Sequence, residues 1–372
     1  MSTGPTNVES TITFLFDELH LHEIPYVVLR NHEGLPSLRH SDGSGDITDI
    51  DLVIDTRHLL QWRSILKRAS EMYDWDVVTE CFHWTQSSCP AHHIQVFRFY
   101  RLDPLQFIQI DIFHSYLVLG LPIINEQDLL KTPNRNRHGI LCADQRIEAF
   151  HVIMKVHWST KANSPNKIKR YRNRALELWR NPAVRSYIHQ TLGAPGVEAF
   201  RSVERNDFQG CSKHVERARR LAFRRHLFSH PVSGLRHIIV RREENVKRYT
   251  TGACGRIVNV YATGETARNM FRETLDTFCR CTIFEEWKEL SKPGIITRSE
   301  RSVMEQGGFI VLWCEPDKAH LIVDSASSPE SVARSLIELA AAQDSILFRR
   351  PSPQEYTSGD APSKETPFAV VR

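Results

Sequence analysis

Polar and apolar residues alternate along two stretches in the first third of the chain. Over residues 48–55, isoleucine and leucine alternate with polar positions that include Asp49 and Asp51. Residues 106–113 alternate in the same way and contain a single acid, Asp111. A period of two is typical of a β-strand that buries one face. We therefore predict two strands, the first of which has Asp49 and Asp51 on the face opposite its isoleucines.

Apolar residues spaced three and four apart predict helices around these strands. Such spacing occurs over residues 8–22, over 57–73 and again from 143 onward. Shorter apolar runs at 26–29, 75–80 and 93–100 predict further strands. The expected fold class is α/β (α+β), with a small mixed sheet, a helical middle region and a small α/β unit near the C-terminus.

The same patterns divide the 372 residues into four segments. Residues 1–130 form the predicted sheet domain, and 131–248 form a helical and basic region. Residues 249–348 contain strand and helix patterns, with a central strand at 307–313 and a last helix at 329–342. Residues 349–372 are rich in proline, serine, threonine and charge, which predicts a disordered tail because such a segment buries little apolar surface.

Composition limits the protein class. The formal net charge of +4 is too small to indicate nucleic acid, and no motif of a nucleic-acid-binding module is present, so we expect no sequence-specific nucleic-acid partner. The eight cysteines include no Cys-x-x-Cys pair, which favours reduced thiols and a cytoplasmic location. The polar first ten residues lack a signal-peptide pattern. No stretch approaches the roughly 18 apolar residues of a membrane-spanning helix.

The paired acids suggest metal chemistry. Two carboxylates on one strand face repel each other, and a divalent cation between them removes the repulsion. If the two acidic strands are neighbours, Asp111 completes a three-carboxylate cluster of the kind that holds two metal ions for phosphoryl transfer. A solvated strand edge or a calcium site is the alternative for Asp49 and Asp51. A second metal hypothesis, weaker than a plain polar loop, is a zinc site from His83, Cys89, His92 and His93.

A family resemblance joins these features. Residues 26–31 read Tyr-Val-Val-Leu-Arg-Asn, residues 33–36 read Glu-Gly-Leu-Pro, and the Asp-x-Asp strand and Asp111 follow. This series resembles the nucleotidyltransferase superfamily of the DNA polymerase β type, in a bacterial branch with Arg-Asn where other members have Gly-Ser. The resemblance covers roughly the first 130 residues. It implies transfer of a nucleoside monophosphate from an NTP to an acceptor hydroxyl, with release of pyrophosphate.

The resemblance also implies a set of site residues. Two Mg²⁺ ions, or Mn²⁺, would be bound by the catalytic residues Asp49, Asp51 and Asp111. In place of the Gly-Ser pair, Arg30 and Asn31 would hold the triphosphate, and residues 33–48 would form a loop over the nucleotide. Lys155 and Lys167, on the helices that follow, would face the phosphates. The alternatives are a surface ion pair for Arg30 and a solvated helix face for the two lysines.

Several partners and one other function stay open. The acceptor can be a small molecule, a glycan or lipid, or a protein. The segment 249–348 resembles a degenerate thymidylate-kinase-like unit without Gly-Lys-Ser/Thr, or is an unrelated α/β unit. The absence of both the Gly-Ser pair and the Gly-Lys-Ser/Thr motif supports a second hypothesis, a catalytically inactive fold that acts as a binding or regulatory scaffold. The basic residues 213–248 predict a solvated linker helix or peripheral contact with an anionic membrane.

Overall fold

The structure is a computed structural model. It describes residues 7–38, 49–84, 93–102, 105–113, 116–118, 121–131, 133–161, 165–232, 235, 256–281, 287–290, 296–297, 299–300, 303, 308–340 and 345–350. Most of the predicted loop over the nucleotide (39–48), Cys89 and His92 of the zinc hypothesis, and the tail from 351 onward lie outside these residues.

The described chain contains a run of strands after its second helix, a run of four helices in its middle, and mixed helices and strands near its C-terminal end. The helices are α1 Asn7–Leu21, α2 Leu59–Met72, α3 Glu126–Leu130, α4 Gln145–Lys161, α5 Pro165–Trp179, α6 Pro182–Glu204, α7 Phe208–Ser229, α8 Glu265–Cys281 and α9 Pro329–Ala340. The strands are β1 Tyr26–Val28, β2 Asp49–Ile54, β3 Val77–Trp84, β4 His93–Leu102, β5 Leu105–Phe113, β6 Tyr116–Val118, β7 Leu121–Ile124, β8 Asn134–Arg135, β9 Leu141–Cys142, β10 Arg256–Ala262, β11 Trp287–Glu289, β12 Phe309–Trp313, β13 Leu321–Val323 and β14 Ser345–Arg349.

The main sheet is mixed and has eight strands in the order β14-β3-β4-β5-β2-β1-β9-β8. The two acidic strands, β2 and β5, are parallel neighbours, and Asp51 pairs in register with Asp111. Strand β1 is antiparallel to β2 and ends beside the acids. The predicted α/β fold class with a mixed sheet is confirmed.

One face of the main sheet is covered by α1 and α2. Ile50, Leu52 and Ile54 of β2 point into this apolar layer and pack with Trp62 of α2 and Phe97 of β4. The two faces of β2 are therefore oriented as predicted. Its isoleucine and leucine side chains are buried under α1 and α2, and Asp49 and Asp51 lie on the opposite face.

The opposite face of the sheet is shared by two groups of elements. Helices α4 to α7 cover the β1–β2 side, where Val27 and Val53 pack with Phe150. The C-terminal α/β unit covers the β3–β5 side, where Tyr100 and Phe107 pack with Phe278 and other residues of α8. The acids of β2 and β5 lie on this face, between the two coverings.

The C-terminal unit is built on a four-stranded parallel sheet in the order β11-β12-β10-β13. The predicted central strand corresponds to β12, which is one of its two inner strands. After α9 the chain returns to the main sheet, where β14 pairs antiparallel with β3. Arg349 is the last residue of β14 and Arg350 bonds to Asp74 and Asp76, so the predicted tail cannot begin at 349.

The main sheet takes strands from three of the four predicted segments. Strands β8 and β9 come from the predicted helical region, and β14 comes from the predicted C-terminal unit. The predicted division of the chain at 130, 248 and 348 is otherwise not decided by these contacts, and it remains a prediction.

Helix α7 carries much of the basic run, and it is packed on one side. Its residues Cys211, Val215 and Ala218 are buried in the same core as α4 and α6. The expectation of a simple solvated linker is therefore wrong for this helix. Residues 236–248 of the predicted membrane-contact segment lie outside the described residues. Within the described part, no helix combines the length and the apolar character needed to cross a membrane.

Candidate active site

The carboxylates of Asp49, Asp51 and Asp111 converge on one face of the main sheet. Each offers an oxygen to a group whose ligand atoms all lie within 4.8 Å of one another. The parallel pairing of β2 and β5 produces this arrangement, since it sets Asp51 directly beside Asp111. The convergence predicted from the sequence is confirmed, and the cluster can hold a metal ion.

Burial differs sharply among the three acids. The side chain of Asp51 is fully buried, whereas that of Asp49 is 20% exposed and forms the open edge of the cluster. Burial, followed by the charges of Asp51 and Asp49, raises the pKa of Asp111 to about 7. Burial also acts to raise the pKa of Asp51, but the nearby cations Arg30 and Lys155 outweigh it and hold that pKa well below its usual value.

Arg30 is the cation in closest contact with the acids. Strand β1 ends just before it, and its guanidinium donates to Asp49 Oδ2 at 2.6 Å and contacts Asp51. Its side chain is only 2% exposed, and its guanidinium carbon lies 5.3 Å from the centre of the Tyr171 ring. The alternative of a surface ion pair for Arg30 is therefore wrong.

Helix α4 supplies two further partners of Asp51. Lys155 Nζ lies 3.2 Å from Asp51 Oδ1, and His151 Nε2 lies 3.3 Å from Asp51 Oδ2. Burial lowers the pKa of His151 to about 4, so the imidazole is neutral at physiological pH and donates its Nε2–H to the carboxylate. Lys155 is only 15% exposed, which contradicts a solvated helix face at this position.

His151 was missed by reasoning from the sequence. The usable signal was its position four residues before Lys155, because residues four apart on a helix point the same way. That signal is weak, since a buried histidine on an apolar helix face is more often a core residue than a site residue.

Asn31 and Lys167 are linked to the cluster less directly, Asn31 as the chain neighbour of Arg30 and Lys167 through its charge. Asn31 follows Arg30 with a positive φ of 55°, a left-handed conformation that asparagine tolerates better than most residues. Lys167 lies on α5, half-buried, and acts on Asp49. For Asp49, burial raises the pKa and Arg30 lowers it, and Lys155 and Lys167 add to the lowering, so the pKa falls below its usual value.

A chain of polar contacts reaches Asp111 from the other side. Arg98 Nε donates to Gln109 Oε1 at 3.1 Å, and Gln109 Nε2 donates to Asp111 Oδ1 at 2.7 Å. Arg98 is buried. Gln109 was not predicted as a site residue, although it precedes Asp111 by two positions and therefore shares its strand face.

The C-terminal unit packs next to this chain of contacts. On β4, Tyr100 lies two positions after Arg98 and therefore on the same strand face. On β5, Phe107 lies two positions before Gln109 and likewise shares its face. Both aromatic residues lie in the core shared with α8. The ring of Tyr100 is stacked on Phe278 of α8, with centroids 6.5 Å apart. The C-terminal unit therefore supports the side of the site that holds Asp111.

A separate ion-pair network ties the turn after Asn31 to the helices. Arg174 of α5 donates to Glu148 of α4 at 2.6 Å and to Glu33 at 2.9 Å. His32 lies 3.8 Å from Glu148. His32, Glu33 and Glu148 have a spacing that can hold a metal ion, but the guanidinium of Arg174 already neutralises the two acids. This network positions the backbone that carries Arg30 and Asn31.

The donor set of the acidic cluster fits a hard divalent cation. Its ligands are carboxylate oxygens alone, the type that Mg²⁺ and Mn²⁺ prefer. Cys142, Cys211, Cys279 and Cys314 are free thiols, and none of these four belongs to the cluster. The composition of the cluster therefore argues against a zinc or iron–sulfur centre at this position.

Comparison with known proteins assigns no family to the chain. It matches no protein-family model, and no curated protein matches it. The resemblance to the nucleotidyltransferase superfamily therefore remains a prediction that depends on the residues described above.

Proposed function

We propose that this protein is a metal-dependent nucleotidyltransferase, which moves a nucleoside monophosphate from an NTP to an acceptor hydroxyl. The observation that supports this proposal best is the convergence of Asp49, Asp51 and Asp111 beside the basic residues of α4 and α5. Clusters of carboxylates suit this chemistry because they hold divalent cations against phosphate groups. The family resemblance, which covers roughly the first 130 residues and includes the same aspartates, agrees with this proposal.

In this proposal, Asp49, Asp51 and Asp111 would hold Mg²⁺ or Mn²⁺, and the bound metal would supply the positive charge that stabilises the reacting phosphates. Lys155 and Lys167 would add charge toward the triphosphate, and the Arg98–Gln109 pair would hold Asp111 in place. The acceptor oxygen would form a bond to the α-phosphorus as the bond to the β-phosphate breaks. Pyrophosphate would leave, and the hydroxyl proton would pass to solvent.

An inactive scaffold is the second candidate. The observation that favours it is the position of Arg30, which already neutralises Asp49 and Asp51. A permanent ion pair there would leave no role for a metal, and the fold would then act only by binding a partner. This candidate predicts that no nucleotide is turned over and that metal ions do not change nucleotide binding.

A calorimetric titration of the full chain with each NTP and Mg²⁺ separates the two candidates. Asp111→Asn is the informative variant because Asp111 makes no direct ion pair among the described residues, whereas Asp51 contacts Arg30, Lys155 and His151. The matched control is Asp317→Asn, which changes the same atoms at an exposed position of the C-terminal unit.

Under the enzyme proposal, one NTP binds in the presence of Mg²⁺, Asp111→Asn weakens that binding, and Asp317→Asn leaves it unchanged. Incubation of that NTP with the protein should then release pyrophosphate when an acceptor is present. If no NTP binds with or without Mg²⁺, the enzyme proposal is wrong and the scaffold is favoured.

We also propose that α7 and the residues after it contact an anionic membrane surface. Exposed cations lie along α7 at Lys213, Arg217, Arg220 and Arg224. The apolar Phe228, Val232 and Leu235 that follow are 84%, 82% and 57% exposed. Basic charge next to exposed apolar side chains is typical of surfaces that bind anionic lipid.

Vesicle flotation tests this contact independently of any activity. Binding to phosphatidylserine-containing vesicles, but not to phosphatidylcholine vesicles, is expected, and Phe228→Ser should reduce it. Equal flotation with both vesicle types would contradict the proposal, and so would the absence of flotation with either type. Binding to polyanionic RNA in preference to the vesicles would show instead that the cations serve nucleic acid.

A further inference from the structure

The acidic cluster already contains a bound cation that belongs to the chain. The guanidinium of Arg30 bridges Asp49 and Asp51, with its Nη2 at 2.6 Å from Asp49 Oδ2. The second oxygen of Asp51 receives Lys155 at 3.2 Å. Both oxygens of Asp51 are thus used by cations of the chain, although these oxygens are the expected metal ligands.

A divalent cation cannot join this arrangement without a change in Arg30. The Arg30 side chain is 2% exposed, so water does not screen its charge from a metal placed between the same two carboxylates. Two positive groups that compete for the same oxygens in a buried site repel each other strongly. Metal binding therefore requires Arg30 to leave Asp49 and Asp51, or it remains weak.

Arg30 also has an unused donor that suits an anion. Its Nη1 is buried and makes no hydrogen bond among the described groups. A buried N–H group without a partner is unfavourable, and an arginine fork binds phosphate oxygens well. The guanidinium carbon also lies 5.3 Å from the centre of the Tyr171 ring, an aromatic face that is favourable for a cation.

We propose that Arg30 is an internal counter-cation, which excludes divalent metal from the acidic cluster until the phosphates of a nucleotide take up its guanidinium. The proposal depends on the proposed function for its second half, because the anion in question is the triphosphate of the NTP. Its first half, the exclusion of metal, concerns only residues of this chain. Metal and nucleotide should consequently bind with positive coupling, and metal alone should bind weakly.

The test measures Mn²⁺ binding to the full chain without nucleotide, from the paramagnetic resonance signal of the free ion. Arg30→Met keeps the length of the side chain but removes its charge, and it should bind Mn²⁺ about tenfold or more tightly than the parent, as is usual for coupled sites. The matched control is Arg57→Met, an arginine that pairs with Asp55 and is 82% exposed. This control should bind Mn²⁺ as the parent does.

A second measurement guards against loss of folding. Removal of Arg30 leaves Asp49 and Asp51 with less compensation, so Arg30→Met is expected to unfold at a lower temperature in EDTA. Because a ligand that binds only the folded state stabilises it, Mn²⁺ should raise the midpoint of Arg30→Met more than that of the parent. If Mn²⁺ binds the variant no more tightly and does not restore its midpoint, Arg30 is no barrier to metal and the proposal is wrong.

The nucleotide arm separates failure of this inference from failure of the proposed function. In the parent, addition of the NTP should increase Mn²⁺ affinity, and in Arg30→Met it should increase it much less. If no NTP binds while Arg30→Met still gains Mn²⁺ affinity, the nucleotidyltransferase proposal fails and the exclusion of metal by Arg30 stands. If the NTP binds with Mn²⁺ but the parent and Arg30→Met bind Mn²⁺ alone equally well, the inference fails and the proposed function stands.

Discussion

Replacement of Asp111 by asparagine should stabilise the metal-free protein at neutral and alkaline pH. Burial and the charges of Asp51 and Asp49 make ionisation of Asp111 unfavourable in the folded state. Asparagine has almost the same shape, carries no charge and keeps the oxygen that accepts a hydrogen bond from Gln109 Nε2 at 2.7 Å. The variant therefore removes an unfavourable charge without opening a cavity.

The magnitude follows from the pKa of Asp111, which rises from an ordinary value of 3.8 to about 7. At about 1.4 kcal/mol per pH unit, ionising this carboxyl in the folded protein costs on the order of 4 kcal/mol. Below the pKa of the unfolded chain, near pH 4, the carboxyl is protonated in both states and does not lower the stability of the fold. As the pH rises from there to the pKa of the folded state, the loss of stability grows, and above that pKa it is constant. The stability advantage of Asp111→Asn should therefore grow between pH 4 and pH 7 and stay constant above.

Urea unfolding in EDTA, followed by tryptophan fluorescence at several pH values from 5 to 8, measures this difference. At pH 8 the urea midpoint of Asp111→Asn should exceed that of the parent by about 1 M or more. The exposed control Asp317→Asn should change the free energy of unfolding by less than about 0.5 kcal/mol at every pH. Adding Mn²⁺ together with the NTP should stabilise the parent and not the variant, because Asp111 is one of the expected metal ligands.

Two results would refute this reasoning about Asp111. One is an Asp111→Asn protein that is no more stable than the parent at pH 8. The other is a stability gain of the same size at pH 5 and pH 8, which would come from packing and not from the removed charge.

Three further predictions concern other parts of the molecule. Asp51→Asn should lower the free energy of unfolding, measured with urea at pH 7, by about 3–5 kcal/mol, because the buried cations Arg30 and Lys155 lose their partner. An unchanged urea midpoint would contradict this. Because the pKa of Asp51 is depressed in the folded protein, the loss of stability should persist down to at least pH 4. Phe278→Ala removes the ring stacked on Tyr100 and should cost about 3–5 kcal/mol and speed proteolysis of the C-terminal unit, whereas unchanged cleavage would speak against that packing. Deletion of residues 345–372 uncovers the edge of β3, so it should lower the thermal unfolding midpoint and increase light scattering from aggregates. Deletion of 351–372 is the control, because it keeps β14. Equal midpoints of the two deletion variants would show that β14 adds no stability.

The sequence by itself determined the local elements around the site. Alternation of side chains is a property of neighbouring residues, so the pattern at residues 48–55 was enough to predict β2 and to assign Asp49 and Asp51 to the face opposite its isoleucines. The same reasoning predicted β5 and its single acid, Asp111. The predicted helices at 8–22 and 57–73 correspond to α1 and α2 for the same reason.

The tertiary structure alone decided which of these residues meet. The register of β2 and β5, which sets Asp51 beside Asp111, depends on pairing between segments that are far apart in the chain. The contact of Arg30 with both acids, and of His151 with Asp51, likewise joins residues from different elements. No local pattern records such pairings, since each depends on how whole elements pack.

The return of β14 to the main sheet illustrates the same limit. Its residues showed no distinctive pattern, and part of it was assigned to a tail, yet it pairs with β3 at the far edge of the sheet. Short strands are held mainly by the partner that satisfies their backbone hydrogen bonds, and that partner is more than 250 residues away in sequence. Local periodicity thus determines what each segment can become, and the burial of charge and backbone in the assembled fold determines where it lies.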